Sequence, residues 1–442
     1  MAHSVKIGIV GEQNAGKTML LTSLLWNLEC FRKENNHFRI GKNKNAVITD
    51  FDISDSKNKN TFNFRQYKNY LCDDRTFPEK TTDYSSITIT YKRNDHLRSR
   101  EITFVDVPGE RFADIFMWNT RDYQKWSDKL FRTLEDQPQF NSIITNYKKN
   151  AAEHGISKDE LILLYKNVLA KLQDNYAAMS PSTFLLDQRG GLHDYVHESD
   201  QITKQPIWEE GDFVPLPSDC KKTNPKAYKE FERNFKLYVN KVLKPLYNEI
   251  DECDAFIFCA DIFEILMSSH VRYSMLRENN SVFLKTVRPK KFMSFLQNIK
   301  LIRKPKMAFV ATKSDLLHGN DINSLMNLLK DLYRAPGENV DNRYFTCAAI
   351  RAAYYDSNHD AVVGYIKPEL LKEWGIQHGD ETPYEVISGK FGFPQKWPSS
   401  KKWAEFKDNF NCMGSFIKPP ILRIDTPPEQ TNLDELFDFI TE

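Results

Sequence analysis

The chain has 442 residues, of which 61 are basic and 60 acidic, so its formal net charge is +1; 40% of residues are hydrophobic and 27% charged. That length holds about two or three folding units at roughly 150 residues each, and the composition fits neither a disordered chain nor membrane embedding. A charge so near zero removes any bulk electrostatic case for nucleic acid or an anionic membrane as partner.

No basic start followed by an apolar stretch opens the sequence, which leads to the expectation of a cytoplasmic protein without a transmembrane segment. Val5–Val10 is a short β-branched run that predicts a strand, and the apolar stretch Met19–Trp26 after a glycine-bounded loop predicts a helix. Between Arg32 and Arg75 the sequence is polar and rich in asparagine, which reads as a long connection. Ile87–Tyr91 and Ile102–Asp106 are β-rich and flank a charged turn, so they predict a hairpin.

From residue 119 to 249 the character becomes helical, with Leu161, Leu164, Tyr165, Val168, Leu169 and Leu172 at helical spacing. Phe231, Phe235, Tyr238, Val242, Leu246 and Ile250 mark a second amphipathic helix, and the intervening stretch 181–217, punctuated by glycine and proline, reads as an ordered loop. Strands return at Ala255–Ala260, Met307–Ala311 and Tyr344–Ala348, separated by helical segments. The window Cys253–Met267 is the most apolar, yet Asp254, Asp261 and Glu264 interrupt it, so it predicts a strand running into a helix and no membrane span. Strands alternating with helices give an α/β class with a mostly parallel sheet, interrupted by a helical insertion. The predicted domains are 1–118 and 250–442 as two parts of one α/β domain, with 119–249 as the insertion. Seven scattered cysteines without a CxxC pair read as reduced thiols.

Gly11-Glu12-Gln13-Asn14-Ala15-Gly16-Lys17-Thr18 matches GxxxxGK[ST] between a predicted strand and a predicted helix. Glycines let backbone N–H groups turn toward phosphate oxygens, the helix start adds partial positive charge, and the lysine ammonium reaches the β- and γ-phosphates. Gly11, Asn14, Ala15, Gly16, Lys17, Thr18 and Met19 are therefore candidate nucleotide contacts, and Thr18 a candidate Mg²⁺ ligand. Asp106-Val107-Pro108-Gly109 follows a strand and supplies DxxG, with Asp106 for the Mg²⁺ shell and the Gly109 N–H for a γ-phosphate oxygen. Thr312-Lys313-Ser314-Asp315 matches TKxD, in which the Asp315 carboxylate can accept from both N–H groups of a guanine edge and Lys313 can lie over the base. Thr312 stands where an asparagine is usual and makes a shorter prop for the loop. Cys347 and Ala348, in a small-residue segment after the next strand, offer a backbone N–H to the guanine carbonyl. Thr81, with Thr82 as the alternative, is the candidate switch threonine for Mg²⁺ and the γ-phosphate. Lys80 and Arg75 read as solvated loop cations, and His193 with His197, four apart, as a polar surface rather than a metal site.

These elements run in the order of a GTPase, and in detail the chain resembles the YcjX-like P-loop GTPase family. The resemblance is carried by FPEKT (77–81), DVPGE (106–110), MSPSTFLLD (179–187), DFVPLP (212–217), TKSD (312–315), TCAAIRAA (346–353) and the segment Phe416–Pro420 with the Leu433 helix. It implies a discontinuous G domain, GTP/GDP and Mg²⁺ as cofactors, and a stress-related bacterial role. The expected activity is slow GTP hydrolysis, because Glu110 stands where small GTPases often carry a water-orienting glutamine and its charge beside the γ-phosphate is costly. Lys17, Thr81, Asp106 and Gly109 would carry that chemistry, and the output would be a conformational switch read by an unidentified protein effector or activator, with a homodimer open. A P-loop ATPase or nucleotide kinase, and a nucleotide-bound scaffold without hydrolysis, are the alternatives. No nucleic-acid partner is expected.

Overall fold

The computed structural model describes residues 4–34, 36–41, 44–54, 60–77, 84–174, 180–182, 212–286, 305–318, 321–334, 340–358, 361–367, 372, 384–389, 392–412 and 417–442. Two compact units divide the chain: the first comprises Met1–Gly109, Glu252–His270 and Arg288–Glu442, the second Glu110–Asp251 and Val271–Val287.

The first unit is built on a seven-stranded sheet in the order β2-β3-β4-β1-β5-β6-β7. Its strands are β1 (Ser4–Val10), β2 (Ile48–Ser54), β3 (Ser85–Arg93), β4 (Arg100–Asp106), β5 (Ala255–Ala260), β6 (Lys306–Ala311) and β7 (Asp341–Thr346). β4, β1, β5, β6 and β7 run parallel, while β3 and β2 continue the sheet antiparallel. Every residue of β5 is buried, as a strand covered on both faces requires, and its sequence is correspondingly apolar without alternation. The helix α1 (Lys17–Glu29) is buried on nearly every side and carries Leu20, Leu21, Leu24, Leu25 and Trp26 into the core. These pack in one core with Ile7, Ile9, Ile257 and Val310 of the sheet and with Leu433, Leu436, Phe437 and Ile440 of the last helix, Leu433–Thr441. Each such side chain contributes about 1.5–3 kcal/mol by leaving water.

Register brings the functional ends together. Ile9 pairs with Asp106 on one side and Ile257 on the other, and Ala311 pairs with Ala260 and Thr346. The loops after β1, β4, β5, β6 and β7 therefore leave from the same edge of the sheet, where α/β proteins place their ligands.

Two features of the first unit differ from the sequence expectation. The polar stretch 32–75 is not a plain connection: it contains β2 and the helix Phe64–Asn69. Among the described residues β2 is an edge strand paired only with β3, and of its residues only Ile48 is buried, so its apolar signal is weak. A second, antiparallel sheet of β8 (Ala353–Asp356), β9 (Ala361–Gly364), β10 (Tyr384–Gly389) and β11 (Phe410–Cys412), in the order β11-β10-β9-β8, was also not anticipated.

The second unit is helical, with Tyr123–Glu135, Pro138–Ala151, Lys158–Asp174 and Pro225–Tyr238 as its long segments before residue 251. Trp126, Phe213 and Phe235 meet edge-to-face or stacked at 5.5–5.7 Å, and Tyr123 and Tyr238 join the cluster. The buried hydroxyls find carbonyls in non-helical chain: Tyr123 donates to Val214 O at 2.6 Å, Tyr147 to Pro215 O at 2.7 Å and Tyr165 to Ser180 O at 2.6 Å. Among the described residues no helix is long and apolar enough to cross a membrane.

Candidate functional site

Glycine is required at two places in the loop after β1 and at one place after β4. Gly11 has φ +152°, and a Cβ there would lie 2.3 Å from the Cys259 carbonyl oxygen at the end of β5. Gly16, at φ +78°, is the left-handed residue that turns the chain into α1. Gly109, after β4, would place a Cβ 2.3 Å from Gln13 N and 2.4 Å from Glu12 C. At Gly109 the DxxG turn thus meets the phosphate loop backbone to backbone. Asn14 is also left-handed, at φ 62°, and its side chain is exposed; Ala15 is buried, and Met19 is half-buried in the first turn of α1.

Lys17 is 8% exposed and folds over its own loop, its Nζ donating to Gly11 O at 3.1 Å and Glu12 O at 2.9 Å. Thr18 Oγ1 donates to Asp106 Oδ2 at 2.8 Å, joining residues 88 apart in sequence, and Asp106 is fully buried. A hydroxyl and a carboxylate oxygen side by side are the hard donors that Mg²⁺ takes, usually with several waters. The residues present therefore fit that ion.

Beyond β6, Lys313 is left-handed at φ 56°, and its Nζ pairs with Asp261 Oδ2 at 2.5 Å. Asp261 also caps the short helix after β5, its other carboxylate oxygen accepting from Glu264 N at 3.0 Å. Thr312 packs its side chain about the position of Gly16 and donates its hydroxyl to Ala260 O at 3.2 Å, so its contact with the loop is van der Waals rather than polar. Asp315 Oδ2 accepts from the amides of Ala352 and Ala353 at 2.9 and 3.1 Å. Burial pushes the Asp315 carboxyl above the usual aspartate range, against the opposite pull of those amides and of Lys313.

The segment after β7 differs from expectation in its amides. Cys347 N donates to Ala311 O at 2.8 Å and Ala348 N to Thr431 O at 3.3 Å, so both serve the fold. The amides that reach the TKxD carboxylate come five and six residues later, at the start of β8, which sequence spacing did not reveal. Ser23 of α1 donates to Ala349 O and ties this loop to the helix behind the phosphate loop. Cys259 and Cys347 are buried free thiols, and burial pushes Cys259 up to about 12.

Thr81, Thr82 and Lys80 lie outside the described residues, as do His193 and His197. Arg75 is described; its guanidinium donates to Pro419 O at 3.3 Å. Glu110 opens a 3₁₀ turn that runs to Asp114.

A glycine-cradled loop entering a buried helix, an acidic strand end beside it and a mostly parallel sheet interrupted by helices define a P-loop α/β protein of the G-domain class. The sequence model of the YcjX-like family, DUF463, matches residues 5–442, and the chain belongs to that family. Among solved structures, it is similar to a chain of the signal recognition particle receptor SRb-GTP/SRX complex from Chaetomium thermophilum, at 11% identity, covering 78% of this chain and 93% of that one, with a TM-score of 0.27.

Proposed function

We propose that the chain binds guanine nucleotides with Mg²⁺ and hydrolyses GTP slowly, acting as a conformational switch. The observation that carries this reading is the meeting of two sequence-distant motifs at one sheet edge: Lys17 and Thr18 on the phosphate loop, and the DxxG run, whose Asp106 is bonded to Thr18 and whose Gly109 lies against the backbone of Glu12 and Gln13. Loop amides and Lys17 would hold the phosphate charge, and Gly109 N–H would meet the terminal phosphate. Thr18 and Asp106 would hold Mg²⁺, which supplies charge neutralisation of the phosphate oxygens. Met19, one residue on, continues the helix whose start faces the anion. Lys313 would cover the base and Asp315 would read its edge, while Thr81 would close over the nucleotide. The contributions of Cys347 and Ala348 would be to wall the base site, since their amides already have acceptors.

A second reading, nucleotide binding without selection for guanine, is favoured by one observation: Asp315 Oδ2 already accepts from two amides. Thermal-shift titration with GTP, ATP and XTP, on the wild type and on Asp315→Asn, separates the two readings. Preference for GTP that weakens in the variant supports guanine selection; equal shifts for all three nucleotides in both proteins reject it. Phosphate release with Mg²⁺, compared between wild type and Lys17→Ala, tests hydrolysis, and equal rates would reject the enzyme.

A further inference from the structure

Asp114 is fully buried, eight residues beyond Asp106 and five beyond Gly109. Its position is the N-cap of the helix Ile115–Thr120, yet its carboxylate makes no capping hydrogen bond there. It accepts instead from Ser180 Oγ at 2.8 Å, Ser182 Oγ at 2.6 Å, Ser182 N at 3.1 Å and Tyr238 OH at 2.6 Å. Arg111, in the same 3₁₀ turn, donates to Ser182 Oγ at 3.0 Å and Tyr238 OH at 2.6 Å.

From those partners the network reaches three long helices. Trp126 Nε1 donates to Ser180 Oγ at 3.3 Å from Tyr123–Glu135, and Tyr165 OH donates to Ser180 O at 2.6 Å from Lys158–Asp174. Tyr238 ends Pro225–Tyr238, where the chain passes into a π-turn, Val239–Leu243. A buried carboxylate is a poor device for stability alone, because well-packed apolar residues in its place are often neutral or better. What these bonds fix is geometry: they clamp the turn Glu110–Asp114, whose first residue follows Gly109 directly.

We propose that Asp114 is a positioning residue for the turn after Gly109, and that through it the helical unit responds to the third phosphate of the nucleotide. The inference rests on the nucleotide reading above. Movement of Gly109 toward a terminal phosphate pulls on a chain segment that is short and anchored, so the strain passes to Ser180, Tyr238 and the helices they hold.

Trp126 provides the readout. With Mg²⁺, the full-length protein is saturated with GDP or with a non-hydrolysable GTP analogue, and tryptophan emission is compared. A difference between the two states that disappears in Trp126→Phe assigns the signal. Asp114→Asn then removes that difference and slows GTP hydrolysis by about tenfold, while GDP affinity stays within about twofold of wild type. Unchanged emission difference and hydrolysis in Asp114→Asn overturn the inference and leave nucleotide binding standing. Absence of GDP binding by the wild type overturns the nucleotide reading and this inference with it. Should Asp114→Asn fail to fold, Tyr238→Phe, which removes one donor to the carboxylate, carries the same test, and an unchanged difference there overturns the proposal.

Discussion

At the sheet edge of the first unit, polar side chains bond largely to loop backbone: Lys17 to two carbonyls of its own loop, Asp315 to two amides, Thr312 to the Ala260 carbonyl. In the helical unit the polar groups are buried among aromatic rings, and tyrosine hydroxyls fasten non-helical chain to helices. The first arrangement depends on side chains being absent, since glycine at 11 and 109 lets backbone approach backbone. The second depends on side chains being large. The loops of the first unit are held by close backbone contacts, whereas the helical unit is held by interlocking rings.

Breaking the first arrangement should have the larger consequences. Lys17→Ala is expected to cost about 3–4 kcal/mol of transition-state stabilisation, a loss of at least a hundredfold in phosphate release, and to abolish the thermal stabilisation by GTP. Gly11→Ala comes next: a methyl 2.3 Å from the Cys259 carbonyl, at φ +152°, should lower folding stability by about 1–3 kcal/mol in urea denaturation, with nucleotide affinity falling in parallel. Asp315→Asn retains a carbonyl oxygen for the Ala352 and Ala353 amides, so stability should hold within about 1 kcal/mol while preference for GTP over ATP drops by about tenfold or more. The contrast with the helical unit is sharpened by Tyr147→Phe, which leaves the Pro215 carbonyl without its donor; stability should fall by about 1 kcal/mol with no change in nucleotide preference.

The smallest effect is a pH dependence. Burial raises Asp315 above its ordinary value of 3.8, so on acidification it takes up a proton before an exposed aspartate does. Guanine preference, which needs the carboxylate, should therefore fade as pH drops while still above 3.8. Because the folded pKa exceeds the unfolded one, this same protonation favours the folded state, so the change in preference and the change in stability carry opposite signs. Competition binding across pH, with Asp315→Asn as a flat control, measures the first.

The phosphate-loop, DxxG and TKxD motifs could be picked out before folding because each is a contiguous run, and the structure sets them at the ends of β1, β4 and β6. The parallel strands were legible too, since β5 and β6 are apolar runs that only a doubly covered sheet accommodates. β2 was hidden because an exposed edge strand carries little apolar signal. The partner of Thr312 was not legible: its side chain lies beside Gly16 while its hydroxyl donates to the Ala260 carbonyl.

What the sequence determined by itself, then, was local: a glycine-bounded loop between strand and helix, an acidic strand end, the TKxD tetrapeptide, and their order along the chain. Tertiary structure decided which distant groups complete them. Ala352 and Ala353 reach Asp315, and Ser180, Ser182 and Tyr238 reach Asp114, because folding brings together residues between 37 and 124 positions apart. Hydrogen bonds require partners within about 3 Å, and residue identity alone does not say which donor will arrive at that distance.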